Sequence, residues 1–290
     1  MEKTSCCTPA SEQEQSVERD RHRQTVRDAY AQVAVSSDEG QSCGTQSGCC
    51  GVSDDSAINT LISTRLGYSQ QDVESVPGGA DMGLGCGNPR AIASLRSGEV
   101  VVDLGSGGGF DCFLAAREVG PGGRVIGIDM TPEMLSKARA NASRGNYENV
   151  EFRLGEIEHM PLADGTADII ISNCVINLSP DKAQVFREAF RILKPGGRLA
   201  ISDVVASAEL PPEMRADEKL IAGCIGNASL IDDLREMISR AGFTQVSIQP
   251  KEESREFIRD WAPGVRVEDY VVSATIEAIK PAGETRPRCC

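Results

Sequence analysis

The 290-residue sequence predicts an α/β domain built on a doubly wound, seven-stranded, mostly parallel sheet. From Glu99 onward, short runs rich in valine and isoleucine alternate with longer segments of helical character. Apolar runs of this length are typical of strands that are buried on both faces of a parallel sheet. The predicted strands are residues 99–104, 124–129, 150–155, 167–173, 197–204, 244–249 and 270–279.

The ends of the chain predict a less regular organisation. The last two strands follow one another without a helical crossover of the usual period, so we expect one of them to run antiparallel at the sheet edge. Near the amino end, the residues from Val17 to Val33 predict one short helix, and those from Asp55 to Leu66 predict a second, which Gly67 ends. We therefore divide the chain into a polar, cysteine-rich segment, an α/β domain and a flexible tail, at residues 1–55, 56–281 and 282–290.

Charge and cysteine usage narrow the class of protein. With 30 Lys and Arg against 43 Asp and Glu, the net charge of −13 repels a phosphate backbone, so we expect no nucleic-acid partner. The polar amino end lacks the apolar core of a secretory signal, and no run approaches 18 apolar residues, which predicts a cytoplasmic protein without a membrane span. In that compartment, 11 cysteines favour metal, metalloid or redox chemistry over a disulfide framework.

A glycine-rich turn follows the first predicted strand and precedes a helix, in the segment from Val101 to Phe110. Glycines there let the backbone approach a ligand closely and present N–H groups to it. Asp129 ends the next strand, where a carboxylate can accept hydrogen bonds from ribose hydroxyls. The pattern departs from a dinucleotide fingerprint, because Phe110 occupies the position of the last glycine and Asp103 stands two residues before the first.

This D-x-G-x-G-x-G pattern, with its second-strand acid, resembles the Rossmann-like class I methyltransferases. The segments Gly155–Glu158 and Leu193–Gly197 also match that family, and the resemblance covers roughly residues 56–281. It implies S-adenosylmethionine as cofactor. Asp129 could alternatively cap the next helix, and Asp103 either contacts the cofactor or orients the loop. The cofactor-binding residues that we predict are Asp103, Gly105, Ser106, Gly107, Gly109, Asp129, Met130, Glu156, Ile157 and Asn173.

Three cysteines are candidates for the substrate site. Cys86 precedes the first strand, Cys174 follows the fourth and Cys224 follows the fifth. Ligands of open α/β sheets bind outside the carboxyl ends of the strands, so Cys174 faces that crevice and the other two lie in segments that can fold over it. Three converging thiolates suit a soft, thiophilic centre. Packing in the core is the alternative for any buried cysteine, and we assign Cys112 to the core.

The segments around these cysteines, GLGCGNP, ISNCVINLSPDK and CIGNA, resemble those of the arsenite methyltransferases. That family also carries a cysteine pair near its amino end, matched here by Cys49 and Cys50. The resemblance implies that Cys86, Cys174 and Cys224 hold arsenic. It also implies that Cys50 or Cys49 delivers the arsenic or forms a disulfide during the cycle.

The same resemblance implies arsenite or its glutathione conjugate as substrate, and cellular thiols such as thioredoxin or glutathione as reductants. Glu213 or Glu218, on the acidic helix before Cys224, is a further candidate for moving water or thiol protons. The tail cysteines, Cys289 and Cys290, are compatible with metalloid capture. Two alternatives stay open: a methyltransferase of a small organic substrate such as a quinol or sterol precursor, and a thiol-rich protein that sequesters metalloids.

Overall fold

The computed structural model describes residues 12–39 and 55–283. The seven strands are β1 (Val100–Leu104), β2 (Arg124–Asp129), β3 (Val150–Leu154), β4 (Ala167–Asn173), β5 (Leu193–Ala206), β6 (Thr244–Lys251) and β7 (Val271–Ile279). The α-helices are α1 (Glu12–Glu39), α2 (Asp55–Arg65), α3 (Gln70–Glu74), α4 (Arg90–Ala93), α5 (Phe110–Val119), α6 (Pro132–Arg144), α7 (Lys182–Ile192), α8 (Pro212–Ala216), α9 (Glu218–Ala222), α10 (Ile231–Arg240) and α11 (Arg255–Ile258).

The strands form one sheet in the order β3-β2-β1-β4-β5-β7-β6. The predicted seven-stranded, mostly parallel sheet is thereby confirmed. The expected position of the antiparallel strand is wrong, because β7 is the antiparallel strand and lies between β5 and β6. The physical reason is burial. All but two residues of β7 are buried, whereas β6 is mostly exposed or half-buried, so the more apolar strand is inside and the more polar one is at the edge.

Alternation along the strands places apolar side chains on both faces of the sheet. Val102 and Leu104 belong to one core layer, while Val101 packs in the layer on the opposite face. In β4, Ile170 and Ile171 divide between the same two layers. Because helices cover both faces, the carboxyl ends of the strands are the part of the sheet left open for a site.

The first helix is longer than predicted. The sequence predicts a helix between Val17 and Val33, but α1 spans 28 residues and packs on α6 and α9. Its inward side chains include the fully buried Val26, so tertiary packing extends a helix whose own sequence is largely polar. Part of the predicted amino-terminal segment therefore lies directly on the α/β domain. The division at residue 55 stays a prediction.

Several sequence predictions lie outside the described residues. They concern the cysteines at both ends of the chain and in the segment between α1 and α2: Cys6, Cys7, Cys43, Cys49, Cys50, Cys289 and Cys290. Within residues 12–39 and 55–283, no helix has both the length and the apolar character needed to cross a bilayer.

Candidate active site

The glycine loop between β1 and α5 exposes its backbone to a cavity. Gly105 and Gly107 adopt φ angles of 67° and 50°, in the left-handed region. A Cβ on Gly105 would lie 2.3 Å from Val175, whereas one on Gly107 would meet no atom within 4 Å. The buried hydroxyl of Ser106 has no hydrogen-bond partner. The loop thus offers an open cradle and a free polar group, as a bound polar ligand requires.

The Asp129 carboxylate lies between the glycine loop and the start of α6. It accepts hydrogen bonds from the Gly107 N–H at 3.0 Å and from the Thr131 N–H at 2.8 Å, so it braces the loop and the start of α6. The same carboxylate lines the cavity, beside Met130. Burial raises its pKa, and a carboxylate has lone pairs left for further donors.

Asp103 lies behind the loop and also lines the cavity. The Cys112 thiol donates a hydrogen bond to its carboxylate at 3.2 Å, and both side chains are buried. Burial, followed by the nearby Asp111 carboxylate, raises the pKa of Asp103 well above its usual range. Cys112 thus packs in the core, as predicted, while its thiol holds Asp103 in place.

A hydrogen-bond network that the sequence did not reveal joins the first turn of α5 to Cys86. The Tyr68 hydroxyl donates to Asp111 at 2.7 Å, and Asn173 Nδ2 donates to the Tyr68 oxygen at 3.0 Å and to the Gly87 carbonyl at 2.8 Å. Asn173 Oδ1 then accepts from the Cys86 N–H at 3.0 Å. Tyr68 lies outside every motif, and Asp111 resembles an ordinary acid in a first helical turn, so neither position signals a function.

The cavity lies at the carboxyl ends of β1, β2 and β4. It brings together most of the predicted cofactor-binding residues. Those that line it are Asp103, Gly105, Ser106, Gly107, Asp129, Met130, Ile157 and Asn173. Gly109 has a packing role instead, because a Cβ there would lie 2.8 Å from the Phe113 ring.

Helix α1 forms one wall of this cavity through Arg23, Val26 and Tyr30. Glu156, predicted to contact the cofactor, makes ion pairs with Arg23 at 3.3 Å and with Arg27 at 3.6 Å. These contacts fasten α1 over the segment that follows β3. The sequence did not reveal this wall, because α1 carries no motif and its charged residues resemble a solvated surface.

The three predicted substrate cysteines come together in the structure. Cys86, Cys174 and Cys224 are 1%, 5% and 2% exposed. The three side chains pack in one buried cluster, and the sulfurs of Cys86 and Cys174 lie within 4.8 Å of each other. Cys224 Sγ also donates to the Cys174 carbonyl at 2.7 Å, and Cys86 Sγ donates to the Ser202 carbonyl at 3.5 Å. The fold therefore builds one cluster from three segments that are far apart in sequence.

Two of these cysteines have an unusual backbone. Cys174 and Cys224 adopt φ angles of 60° and 64°, a region that residues other than glycine rarely enter. Hydrogen bonds hold both conformations: the Cys174 N–H donates to the Ser202 carbonyl at 2.8 Å, and Asn177 Nδ2 donates to the Cys224 carbonyl at 3.2 Å. Backbone strain of this kind costs about 1–3 kcal/mol and clusters at functional sites.

All three cysteines are held as neutral thiols. Burial raises the pKa of Cys86 to about 11. For Cys174, the neighbouring Cys224 thiol lowers the pKa, but the Cys86 thiol and burial raise it by more. The neighbouring Cys174 thiol, together with burial, raises the pKa of Cys224 well above its usual range.

The carboxylate nearest to this cluster is Asp203, which the sequence did not single out. It stands inside an apolar run, is 1% exposed, and has a pKa that burial raises to about 6. A carboxylate oxygen of Asp203 and the sulfurs of Cys86 and Cys174 lie within 4.8 Å of one another. Glu213 and Glu218, the acids considered from the sequence, are exposed and line neither cavity described here.

A second cavity opens beside Cys174. Cys224 and the single tryptophan, Trp261, line it, and it meets the first cavity at Tyr30 and Cys174. Cys86 lines neither cavity, and its sulfur lies within 4.8 Å of that of Cys174. A ligand in the first cavity and an atom bound by the thiols would therefore be neighbours across Cys174.

The sheet order and the cradle at the end of β1 define the S-adenosylmethionine-dependent methyltransferases of class I. A family model described as a methyltransferase domain matches residues 95–242. Within that class, the chain belongs to the arsenite methyltransferase family. It is 54% identical over 265 residues to the arsenite methyltransferase of Halobacterium salinarum, covering 90% of this chain and 67% of that protein.

Two further relatives agree. The arsenite methyltransferase of Mus musculus is 36% identical over 221 residues, which are 71% of this chain and 56% of the mouse protein. A crystal structure of an arsenic(III) S-adenosylmethionine methyltransferase from Chlamydomonas reinhardtii superimposes with a TM-score of 0.57 at 33% identity, covering 77% of this chain and 74% of that one. The chain thus spans between about half and three quarters of the length of these relatives.

Proposed function

We propose that the chain transfers methyl groups from S-adenosylmethionine to trivalent arsenic held by Cys86, Cys174 and Cys224, and that it thereby detoxifies arsenic. The observation that carries this proposal is that the three buried thiols pack in one cluster, in which Cys174 lines both cavities and Cys224 lines the second. Trivalent arsenic binds three sulfurs in a pyramid and keeps a lone pair. The family of the chain favours this substrate over the organic methyl acceptors considered from the sequence.

Loading of arsenic needs no strong base. When arsenite is present as the neutral acid As(OH)₃, each thiol proton leaves with one hydroxyl as water while one As–S bond forms. Neutral thiols with raised pKa values therefore suit this exchange. It also fits the scarcity of histidine, since His22 is bonded to the Leu178 carbonyl and His159 is the other of only two.

Methyl transfer then depends on position. When bound, S-adenosylmethionine supplies an electrophilic methyl group on a sulfonium sulfur. The loop from Asp103 to Gly107, with Asp129, Met130 and Ile157, would orient it, and Cys174 would hold arsenic beside it. The arsenic lone pair forms the As–C bond while the C–S electrons stay on sulfur, leaving S-adenosylhomocysteine. Orientation of this kind can lower a barrier by about 7–11 kcal/mol.

Completion of the cycle involves thiols outside the cluster. We propose that Cys50 or Cys49 delivers arsenic or takes part in a disulfide. Methyl transfer leaves arsenic pentavalent, and two thiols then give it two electrons, release their two protons and join as a disulfide while arsenic returns to the trivalent state. We also propose that glutathione or thioredoxin reduces that disulfide. Arsenite and its glutathione conjugate are the expected substrates. Because this chemistry requires reduced thiols, we propose a cytoplasmic location for the reaction.

The test uses purified chain, labelled S-adenosylmethionine, reduced thiol and arsenite, with the arsenic species separated by chromatography. We expect methylated arsenic from the parent and none from Cys174→Ser or Cys224→Ser. Cys112→Ser is the matched control, because its hydroxyl can still donate to Asp103. Equal activity in all four proteins would reject the thiol cluster. A chain that binds cofactor but yields no methylarsenic would redirect the search to organic acceptors.

A further inference from the structure

A second set of donor atoms overlaps the thiol cluster. The sulfurs of Cys86 and Cys174 and a carboxylate oxygen of Asp203 lie within 4.8 Å of one another, and all three residues are buried. We propose that these three side chains form a binding site for a thiophilic divalent cation of the Zn²⁺ and Cd²⁺ class.

The mixture of donors distinguishes such a cation from arsenic. Zn²⁺ binds cysteine sulfur and aspartate oxygen in a tetrahedron, and three protein ligands leave a fourth position for water. Cys174 lines both cavities, so water can reach that position from its side. Trivalent arsenic, by contrast, takes three sulfurs, and its lone pair occupies the fourth direction. The third ligand of arsenic is thus Cys224, whereas the third protein ligand of the cation is Asp203.

The carboxylate is oriented before any ion arrives. Asp203 accepts hydrogen bonds from the Ile176 N–H at 2.8 Å, from the Val204 N–H at 2.7 Å and from Asn177 Nδ2 at 3.0 Å. A carboxylate offers about four lone-pair positions, so three donors leave capacity for a metal bond. Hydrogen bonds to a liganding carboxylate are typical of the surroundings of protein metal sites.

The two sulfurs are carried on an equally fixed backbone. The Cys86 N–H donates to Asn173 Oδ1 at 3.0 Å, and Ser273 Oγ donates to the Cys86 carbonyl at 2.7 Å. Cys174 is joined to β5 by its N–H bond to Ser202.

Cation binding is balanced by proton release. Two metal–sulfur bonds and one metal–oxygen bond form, the two thiols become thiolates, and their two protons pass to solvent. Because arsenic would use the same two sulfurs, the cation competes with arsenite. That competition rests on the proposed function, whereas cation binding itself does not.

The direct test uses Co²⁺ as a coloured probe, without arsenite or S-adenosylmethionine. The reference protein is the full chain with the seven cysteines outside the described residues changed to serine, which leaves Cys86, Cys112, Cys174 and Cys224. We expect thiolate-to-cobalt absorption that saturates at one ion per chain. Cys86→Ser and Cys174→Ser should abolish it, and Asp203→Asn should weaken binding by about 100-fold. Cys112→Ser and Cys224→Ser should retain it.

The opposite pattern overturns the proposal. If Cys224→Ser abolishes the absorption while Asp203→Asn binds like the reference protein, the ion lies among three sulfurs and Asp203 is not a ligand. Should Asp203→Asn fail to fold by circular dichroism, X-ray absorption of the Zn²⁺-loaded reference protein decides. Two sulfur neighbours with at least one oxygen support the site, and three sulfur neighbours reject it.

Competition is measured on the unaltered chain as inhibition of arsenite methylation by Zn²⁺. Inhibition that arsenite relieves is the expected result. Co²⁺ binding without any arsenic methylation would refute the proposed function and leave the cation site standing. Methylation without Co²⁺ binding would refute the cation site alone.

Discussion

Lys182→Met should impair arsenic methylation without unfolding the protein. Lys182 is buried, with its Nζ bonded to the carbonyl of Asn227 and, at 2.9 Å, to Ser229 Oγ. Asn227 in turn donates to the Asn177 carbonyl at 2.9 Å. These bonds fasten the segment that carries Cys224 to the segment that carries Cys174.

The energies explain why stability and activity should separate. Burial lowers the pKa of Lys182 to about 8, so the fold disfavours its ammonium by about 3 kcal/mol, a cost that methionine does not carry. The two acceptors left unpaired cost about 1–3 kcal/mol each, so the gains and losses largely cancel. The loop that carries Cys224 loses its hydrogen bonds to Lys182, however. A displacement of its thiol by about 1 Å can slow the reaction by about 100-fold.

The assay pairs chemical denaturation with arsenic methylation kinetics and cofactor binding. We expect the free energy of unfolding to change by less than about 3 kcal/mol, kcat to fall by about 100-fold and cofactor affinity to stay constant. Lys194→Met is the matched control, since it removes only a half-exposed ion pair with Asp168. Methylation by Lys182→Met at the rate of this control would refute the reasoning.

Three further predictions concern the cradle, the carboxylate and the thiols. Gly105→Ala should abolish cofactor binding in calorimetry, because the new Cβ would lie 2.3 Å from Val175 at a φ of 67°; retained affinity would argue against the cradle. The Asp203 pKa, raised to about 6, lets the folded chain keep a proton that the unfolded chain has lost. As the pH rises from about 4 to 6, the unfolding free energy of the parent should therefore fall by about 3 kcal/mol relative to that of Asp203→Asn. A difference between the two proteins in urea denaturation that stays constant over this pH range would contradict this. Arsenite affinity should vary less than about twofold between pH 6 and 8, because each thiol proton combines with an arsenite hydroxyl to form water and no free proton is released. Co²⁺ affinity should instead rise with pH, because its binding releases protons. A strong rise of arsenite affinity with pH in direct binding measurements would exclude that exchange.

The sequence predicted the parts that depend on local pattern. Buried strands with valine and isoleucine, the glycine loop and the acid that ends β2 each leave a signal within a few residues, and the sheet order confirms the strands. The insertion of β7 between β5 and β6 leaves no such signal. It follows from which strand is more apolar over its whole length, and therefore from a comparison between distant segments.

The same distinction applies to the site. The three cysteines were identifiable because their types and segments are distinctive. Their supports were not, because Tyr68, Lys182 and Asp203 act through partners far away in the chain. Asp203, for example, lies in an apolar run that predicts only a strand. Its role depends on the neighbouring ends of β4 and β5, which place it beside Cys174.

Helix α1 has a consequence for how the two substrates influence each other. It is tied to Glu156 by Arg23, and its Tyr30 hydroxyl donates to the Ala222 carbonyl at 3.4 Å, next to the Cys224 loop. Helix α1 thus lies over both cavities. A ligand in one cavity that orders this helix lowers the entropic cost of binding a ligand in the other cavity. Thermodynamic linkage then makes the effect reciprocal: whatever factor the cofactor adds to arsenic affinity, arsenic adds to cofactor affinity.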